Sequence, residues 1–497
     1  MLGTSTLEGS KPEEQTADIA RVAGRGTIYI TAAKVWFMLS GYGIHFTLPR
    51  LISAEQFGLY QVVISMISVI NAVVVTGTYQ TVSKFVSQDE AKAGSVKSAA
   101  LKLQLLVGGG ATLGVVLLAP LLAGYLNDLR ITNYLRLAAA ITLSYSFYAV
   151  FTGYFNGRRR FLAQAALDAA YSTMKVAFIV LLVWMGYGVW GGVGGFALAA
   201  ACALTLSALV AGGERGSGPV RPRELFTFQA YLLVSTLVVN LLQRADLILV
   251  KALSSSDAAL ASENAGYYSA AVSLAGLTYQ IVISVTFVVF PLVSQSTFAA
   301  DHERTRAYVS NTMRYSLMIM AVFSTLLSAN AREVIAVVYP ANYQVGSIAL
   351  SILAFSMLLF GTLYVLTTII TASGRPKISL LIGAITLAVN VGLNVLLIPR
   401  YGLNGAAIAT SAAMLVGAVA AAGYVWVSFG VLLRIASALR ICGCGALVIA
   451  GSRLYASTSI VWTVVELGTM GALYLAALIL TGELGRKDLA AVRRIVG

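Results

Sequence analysis

Charged side chains are scarce in this sequence. Asp, Glu, Lys and Arg make up only 11% of its 497 residues, whereas hydrophobic residues make up 58%. A soluble globular domain needs a largely polar surface, and this sequence has too few polar side chains to cover one. The composition therefore excludes a soluble protein and predicts a chain that crosses a membrane many times.

Histidine and cysteine are also rare. His45 and His302 are the two histidines, which are too few for a histidine-based metal cluster. Cys202, Cys442 and Cys444 are the three cysteines, and each lies in an apolar segment. Cys442 and Cys444 are two residues apart, so they face different directions on a helix. We interpret all three as small packing residues, and we predict neither a disulfide nor a metal site.

Apolar segments long enough to cross a membrane recur along the whole chain. A transmembrane helix needs about 20 mostly apolar residues. The number of such segments predicts an all-α polytopic membrane protein with about fourteen transmembrane helices. The predicted spans are 27–48, 57–78, 99–122, 133–155, 163–185, 188–211, 227–249, 266–292, 309–330, 345–372, 376–397, 403–427, 433–452 and 459–481.

The positive charges are distributed unevenly between the two ends of the spans. The net charge is +14, and the Lys and Arg residues lie in short loops and not in one block, which favours membrane orientation over nucleic-acid binding. With a cytoplasmic N-terminus, 24 of the 34 Lys and Arg residues lie on the cytoplasmic side, 7 on the outer side and 3 inside spans. Because cytoplasmic loops are enriched in these residues, both termini are predicted to be cytoplasmic.

Three short motifs occur twice, in the same order. Tyr-Gly-x-x-Gly, Glu-x-x-Gly-x-Tyr and a basic turn containing glycine each appear once in either half of the chain. Their corresponding glycines are 214, 208 and 217 residues apart. Spans 1–6 and 7–12 are therefore interpreted as two copies of a six-helix unit, related by an axis along the membrane normal because six is even. The glycine pairs are Gly188 and Gly402, Gly58 and Gly266, and Gly157 and Gly374.

This duplication defines predicted domains and packing residues. In each Tyr-Gly-x-x-Gly motif, glycine permits a positive φ at the corner, and small residues let neighbouring helices approach closely. Two asparagines of span 11 share a face on which they can hydrogen bond between helices. The residues assigned to these turns and contacts are Gly188, Gly191, Gly402, Gly405, Asn390 and Asn394. The predicted domains are a cytoplasmic segment (1–24), an N-terminal six-helix bundle (25–211), a cytoplasmic linker (212–226), a C-terminal six-helix bundle (227–430), helices 13–14 (431–481) and a basic amphipathic cytoplasmic tail (482–497).

The repeated motifs also carry a family resemblance. The stretch GRPKISLLIGAITLAVNVGLNVLLIPRYGLNGAAIAT, which begins at Gly374, resembles the signature region of lipid-linked oligosaccharide flippases. These proteins are the Wzx-type, polysaccharide-biosynthesis branch of the multidrug/oligosaccharidyl-lipid/polysaccharide exporter superfamily. LISAEQFGLYQVVIS, ENAGYYSAAVSL and QRADLILVKAL are similar to the same family. The resemblance covers spans 1–12, and spans 13 and 14 are additional.

The resemblance implies a fold and a function. The fold would be a V-shaped pair of six-helix bundles around a central cavity. The protein would move a polyprenyl-pyrophosphate-linked oligosaccharide outward by alternating access, driven by an H⁺ or Na⁺ gradient and without a cofactor. The expected partners are the lipid-linked substrate, the bilayer, a polysaccharide polymerase and glycosyltransferases of O-antigen or exopolysaccharide assembly, with no nucleic acid. A monomer in the bacterial cytoplasmic (inner) membrane is expected.

Span 5 carries the strongest candidates for substrate binding. An ionisable residue inside a span is costly and usually faces a cavity or a partner. Asp168, Tyr171 and Lys175 are spaced i, i+3 and i+7, so they share a helix face that can line a water-filled cavity. Lys175 and Tyr171 are assigned to substrate binding and Asp168 to ion coupling. The alternative pairs Asp168 with the arginines at 158–160 and leaves Lys175 bonded to helix carbonyls.

Four further ionisable residues in spans are assigned roles. Lys34 in span 1 is a second substrate-binding cation, or a lysine that reaches the inner interface. Arg314 in span 9 is assigned to the same cationic cavity, with the same alternative. Arg244 and Asp246 near the outer end of span 7 are assigned to ion coupling or gating. Asp246 matches an aspartate that is typical of the family at this place.

Two other functions compete with a flippase. A multidrug exporter of the same superfamily would favour an acidic cavity for cationic drugs, whereas buried cations here match buried acids in number. A membrane enzyme such as a glycan polymerase or ligase commonly needs a large outer loop with catalytic groups. No predicted outer loop exceeds about 16 residues and none holds a histidine, so no catalytic residue is predicted.

Overall fold

Helices dominate the described residues. The computed structural model describes residues 12–213, 220–452, 460–485 and 488. Apolar segments favour helices in a membrane because a helix pairs its backbone N–H and C=O groups within one segment. The α-helices are α1 (Pro12–Leu51), α2 (Ala54–Gln88), α3 (Ala93–Tyr125), α4 (Arg130–Gly157), α5 (Phe161–Leu182), α6 (Gly188–Ala211), α7 (Pro222–Leu253), α8 (Ala258–Ala275), α9 (Leu277–Phe298), α10 (His302–Ala329), α11 (Ala331–Val338), α12 (Ser347–Ala372), α13 (Pro376–Phe429), α14 (Ile435–Ser452) and α15 (Ile460–Leu480).

The predicted all-α polytopic fold is confirmed. Nine helical segments among the described residues are long and apolar enough to cross a membrane. Two of the nine are 51 and 54 residues long and contain a break, so each covers two predicted spans. The predicted eighth span is divided at Gly276 between α8 and α9. The first helix begins at Pro12, earlier than the predicted first span, and residues 1–11 lie outside the described residues.

The two Tyr-Gly-x-x-Gly corners have nearly the same backbone conformation. Gly188 has φ 51° and ψ −129°, and Gly402 has φ 55° and ψ −129°. Residues with a side chain rarely adopt a positive φ, so glycine is needed to break the helix here. A Cβ atom at Gly191 would lie 2.9 Å from a backbone oxygen of the preceding helix, and one at Gly405 would also collide with such an oxygen. The first glycine of each motif sets the corner, and the second lets two helices touch.

Contacts divide the chain into two compact units. The division runs within α2 and α7 and does not follow the predicted bundle boundaries at 211, 226 and 430, which remain predictions. Residues 214–219 of the predicted linker lie outside the described residues. Unit 1 comprises Met1–Leu51, Met66–Gly124 and Leu129–Leu237, and unit 2 comprises Ile52–Ser65, Tyr125–Asp128 and Val238–Gly497.

In unit 1, α4 packs closely on α2. Gly153 and Gly157 of α4 face α2, where a Cβ at either position would lie 2.8 Å from a backbone carbonyl oxygen of that helix. Small residues let helices approach closely, which stabilises helix pairs in lipid by dispersion contacts. Val82 and Val86 of α2 are almost completely buried beside these glycines. Helix α5 packs against both α1 and α6, which places its polar face inside unit 1.

In unit 2, the last two helices pack on α10. Ile441 of α14 and Tyr474 of α15 are buried together with Met318 of α10. The Tyr474 hydroxyl donates a hydrogen bond to the Ile441 carbonyl oxygen at 3.0 Å. A second apolar cluster joins α9, α10, α12 and α13. The two additional helices thus share α10 with the rest of unit 2.

The two Glu-x-x-Gly-x-Tyr motifs pack against each other within unit 2. A Cβ at Gly58 would collide with the carbonyl oxygen of Ser262 on α8, and one at Gly266 would collide with the first turn of α2. Gln61 Nε2 donates to Ser269 Oγ at 2.8 Å, and these residues are also 208 apart. Equivalent positions of the two motifs therefore meet reciprocally, which is the pattern of a local two-fold arrangement.

Candidate functional site

Lys175 lies in the interior of unit 1 on α5. The residue is 8% exposed, and Nζ lies 4.7 Å from the ring centroid of Phe37, 5.3 Å from that of Phe196 and 5.7 Å from that of Tyr171. Ring faces attract a cation, so this aromatic cage stabilises the ammonium group without an acid. No carboxylate in the described part of the chain forms an ion pair with it. An entering anion would therefore meet a positive charge that is not ion-paired with any acid of the described residues.

Asp168, two turns before Lys175, is bonded to a tyrosine. The Tyr148 hydroxyl donates to Asp168 Oδ1 at 2.7 Å. Arg158 Nε lies 3.4 Å from Glu90 Oε1, and Arg158 Nη1 donates to the Tyr154 hydroxyl oxygen at 2.9 Å. The Tyr145 and Tyr171 hydroxyls are hydrogen bonded, and the rings of these two residues and of Tyr148 pack together. Tyr148, which is bonded to Asp168, thus contacts Tyr171 of the aromatic cage through its ring.

Lys34 on α1 lies in the same region of unit 1. Its exposed side chain interacts electrostatically with Asp168. Helix α1 is also joined to α5 by the Trp36 Nε1 hydrogen bond to Thr173 Oγ1 at 3.0 Å. The structure therefore brings two residues with separate predicted roles, Lys34 and Asp168, within electrostatic range of each other. Lys34 therefore has a charged neighbour, whereas the three aromatic rings around Lys175 carry no charge.

Sequence reasoning missed the aromatic and amide parts of this region. Phe37, Phe196, Tyr145 and Tyr148 lie in spans, where aromatic residues are frequent for reasons unrelated to a site. The i, i+3 spacing of Tyr145 and Tyr148 is the signal that could have placed both on one helix face. Gln104 of α3 is completely buried, and neither of its amide atoms has a hydrogen-bond partner among the described residues.

A second polar network lies in unit 2 and joins α7, α8 and α13. The Tyr268 hydroxyl donates to Asp246 Oδ2 at 2.8 Å and also interacts with Thr410. Asn390 Nδ2 donates to Thr410 Oγ1 at 3.3 Å, and Asn394 Nδ2 donates to Asn390 Oδ1 at 3.2 Å. All five residues are buried, and Asn394 Oδ1 has no hydrogen-bond partner among the described residues. Several buried oxygen atoms that can accept a proton or coordinate a small cation therefore belong to one network.

Arg244 contributes a positive charge near this network. It interacts electrostatically with Asp246 and with Tyr279 of α9. Residues two apart on a helix face different directions, and no carboxylate among the described residues lies within ion-pair distance of Arg244. Asp246 keeps its hydrogen bond to Tyr268 and also accepts one from the Leu247 N–H at 2.8 Å.

Arg314 on α10 has acidic partners from the C-terminal segment. Its Nε lies 2.8 Å from Glu483 Oε1, and its Nη2 lies 3.0 Å from Asp488 Oδ2. Burial alone would raise the pKa of Asp488, but hydrogen bonds from Arg314 and Tyr315 lower it to about 2. Two carboxylates therefore neutralise the guanidinium, and this geometry lends no support to the predicted substrate-binding role of Arg314. Residues 486–487 and 489–497 of the predicted tail lie outside the described residues.

A protein-family model matches more than half of the chain. A family model described as "Polysaccharide biosynthesis protein" matches residues 23–297, which is more than half of the chain. The match runs from α1 into α9. It therefore includes the whole of the Lys175 region as well as Asp246 and Arg244.

Curated relatives match part of the chain. The "Probable low-salt glycan biosynthesis flippase Agl15" of Haloferax volcanii is 25% identical over 204 residues, which are 41% of this chain and 42% of that protein. The uncharacterized membrane protein YabM of Bacillus subtilis is 25% identical over 325 residues, which are 59% of this chain and 58% of that protein. The chain thus spans less than two thirds of the length of these curated relatives.

Solved structures share the fold over most of the chain. The lipid II flippase MurJ, in an inward closed conformation, matches with a TM-score of 0.74 at 14% identity, covering 92% of this chain and 99% of MurJ. An inward-facing multidrug resistance MATE family transporter of the MOP superfamily matches with a TM-score of 0.63 at 14% identity, covering 86% of this chain and 96% of the transporter. At this identity the likeness shows a shared fold and carries no substrate with it.

Proposed function

The chain belongs to the polysaccharide biosynthesis protein family, and on that premise we propose that it is a flippase for a polyprenyl-pyrophosphate-linked oligosaccharide. The substrate is a polysaccharide repeat unit that crosses the cytoplasmic membrane by alternating access and is not chemically changed. Both termini are cytoplasmic in this proposal. Glycosyltransferases supply the substrate and a polymerase consumes it, and the protein acts as a monomer without a cofactor.

The aromatic cage around Lys175 is the observation that carries this proposal. A pyrophosphate group bears negative charge, which the bilayer interior strongly disfavours. The Lys175 ammonium is held by the faces of Phe37, Tyr171 and Phe196. A phosphate oxygen can therefore pair with it without first displacing a carboxylate. A lysine fits this task because its charge is compact and demands no particular sugar geometry.

Two acids are the proposed coupling residues. Protonation of Asp168 would remove its attraction for Lys34, whose charge could then serve the substrate phosphates. Asp246, Tyr268 and Asn394 belong to the buried oxygen-rich network of unit 2, which suits H⁺ or Na⁺ because small hard cations prefer oxygen ligands. Each acid offers a way for an ion gradient to drive the transport cycle.

A cation-coupled multidrug exporter is the second candidate function. The fold shared with a MATE transporter favours it, and so do the carboxylates of Asp168 and Asp246, because a cationic drug needs an acidic site. The Lys175 cage opposes it, since a buried positive charge without an acidic partner repels a cation. A glycan polymerase or ligase is the third candidate, and no feature of the described residues favours it.

Substitution of Lys175 tests the flippase proposal. Lys175→Ala is expected to abolish surface polysaccharide in a flippase-deleted strain while the protein still reaches the membrane, because the substrate phosphates lose their counter-charge. Lys175→Arg should retain part of the activity, since the positive charge is kept. Lys34→Ala should have a smaller effect, and Lys102→Ala, which removes an exposed lysine of α3, is the matched control.

Three results would decide against the flippase mechanism or modify it. Normal surface polysaccharide in the Lys175→Ala, Lys34→Ala double variant would refute the cationic site. Extrusion of cationic dyes that depends on Asp168 or Asp246 would instead favour the drug exporter. For coupling, Asp246→Asn and Asp168→Asn are each expected to change the dependence of transport on pH or sodium. An unchanged ion dependence in either variant would make that residue structural.

A further inference from the structure

A buried ion pair anchors the connection between α3 and α4. Tyr125–Asp128, which comprises the last residue of α3 and most of its connection to α4, belongs to unit 2. Lys251 Nζ, near the end of α7, lies 3.0 Å from Asp128 Oδ2, and the two side chains are 0% and 2% exposed. In the orientation predicted from the Lys and Arg distribution, both residues lie at the outer ends of their spans.

Lys251 is bonded to three oxygen atoms. Besides Asp128, its ammonium donates to the Ala258 carbonyl oxygen at 2.8 Å and to Ser262 Oγ at 2.6 Å. An ammonium group has three N–H donors, and these three oxygens satisfy them. The carbonyl oxygen of Ser262 is also the atom against which Gly58 packs. One turn of α8 therefore holds both the start of α2 and the α3–α4 connection.

The chemistry of this contact favours repeated opening. Burying two charges costs desolvation, and a buried ion pair is commonly no more stable than an apolar pair of similar volume. The ion pair and an apolar pair differ in the free energy of exposing their side chains to water. Exposure of apolar side chains to water raises the free energy, whereas the charges of Lys251 and Asp128 would regain favourable hydration. A charged contact is therefore better suited to separating and re-forming than an apolar contact of similar volume.

We propose that Lys251 and Asp128 form a latch of the transport cycle. The ion pair holds the α3–α4 connection against α7 and α8 in the state described here, and it separates when this part of unit 2 opens during the cycle. The latch is a conformational element and binds neither the substrate nor the coupling ion. This inference rests on the proposed transport function, since a protein that does not alternate between states needs no latch.

Labelling of a buried cysteine measures the latch directly. In a variant with Cys202, Cys442 and Cys444 replaced by alanine, Leu126→Cys places a thiol on the connection itself, where Leu126 is 1% exposed. A membrane-impermeant maleimide added from outside should label this thiol slowly in the otherwise wild-type protein. Lys251→Met should raise the labelling rate at least about tenfold, because removing one partner of a buried pair leaves an uncompensated charge.

Two comparisons separate opening of the latch from unfolding. Ala138→Cys in α4, where Ala138 is 0% exposed, is the matched reporter in unit 1 and should label at an unchanged rate. The charge exchange Lys251→Asp with Asp128→Lys should restore at least part of the protection of Leu126→Cys. Faster labelling of both reporters, or unchanged labelling of Leu126→Cys in Lys251→Met, would overturn the latch.

A cross-link tests whether the latch opens during transport. Joining the two thiols of the Asp128→Cys, Lys251→Cys variant with a short bifunctional thiol reagent that contains a reducible bond should stop accumulation of surface polysaccharide, and a reductant should restore it. Unimpaired surface polysaccharide with the cross-link formed would show that the contact stays closed during the cycle, and would refute the proposal. Labelling is measured without substrate, so it tests the latch even if the flippase function is wrong.

Discussion

Alanine at Gly58 is expected to destabilise the contact between α2 and α8. A Cβ at this position would collide with the Ser262 carbonyl oxygen and would lie 2.7 Å from the Gly266 amide nitrogen. Both opposing atoms are backbone atoms of a helix, so they cannot rotate away as a side chain could. The two helices would have to separate, which weakens every neighbouring contact, including the Gln61 hydrogen bond to Ser269.

The expected cost follows from this geometry. Overpacking of a close contact costs about 1–3 kcal/mol, and a clash with rigid backbone places Gly58→Ala near the upper end of that range. Gly109→Ala in α3 is the matched control, because nothing lies within 4 Å of a Cβ there. Alanine has the higher helix propensity, so the control should be neutral or more stable by up to about 1 kcal/mol. The two variants should therefore differ by about 2–4 kcal/mol.

The stabilities of the Gly58→Ala and Gly109→Ala variants are compared by heating each purified protein in detergent. The fraction that remains monodisperse after heating is measured. Gly266→Ala should have an effect similar to Gly58→Ala, because its Cβ would collide with the first turn of α2. The double variant should cost less than the sum of the single variants, since one separation of the helices relieves both clashes. Strict additivity, or a Gly58→Ala variant as stable as Gly109→Ala, would refute the reciprocal contact.

Two further predictions concern the corner in α13 and the C-terminal segment. Gly402→Ala should lower the melting temperature relative to Gly392→Ala, because φ at Gly402 is 55° whereas Gly392 has open space around its Cβ; equal melting temperatures would contradict this. The pKa of Asp488 is lowered to about 2, so its ion pair with Arg314 should stabilise the protein above the ordinary carboxyl pKa and be lost as the pH falls through about 2. The stability difference between wild type and Asp488→Asn should accordingly be the same at pH 5 and pH 7, and a contact that weakens by pH 5 would be inconsistent with the lowered pKa.

The all-α architecture could be predicted from sequence because each span is a local property of about 20 residues. The repeated motifs could be found for the same reason, and their glycines lie where the chain turns or where helices touch. The contacts between the repeated motifs could not be predicted from the sequence. Repetition says that Gly58 and Gly266 are equivalent, but their mutual contact depends on how whole helices are arranged.

The candidate site could be predicted only in part. Lys175 stands out because a charge is rare inside a span, whereas Phe37 and Phe196 do not stand out among many aromatic residues. Arg314 also stands out, but its acidic partners lie about 170 residues further along the chain, where sequence alone cannot bring them together. The sequence can identify a charged residue inside a span, but the structure is needed to identify the residues around it.

The partners of a buried lysine determine what it can do, and two lysines of this chain show the difference. Lys251 is surrounded by a carboxylate, a carbonyl and a hydroxyl, so a new anion could bind only after the bond to Asp128 breaks. Lys175 is surrounded by ring faces, which attract a cation less strongly than a carboxylate does at close range. The surroundings of Lys251 suit a contact that opens and closes, and those of Lys175 suit a site that binds an anion. By charge count alone Lys251 is one of several loop cations, so the distinction rests entirely on the atoms around each ammonium group.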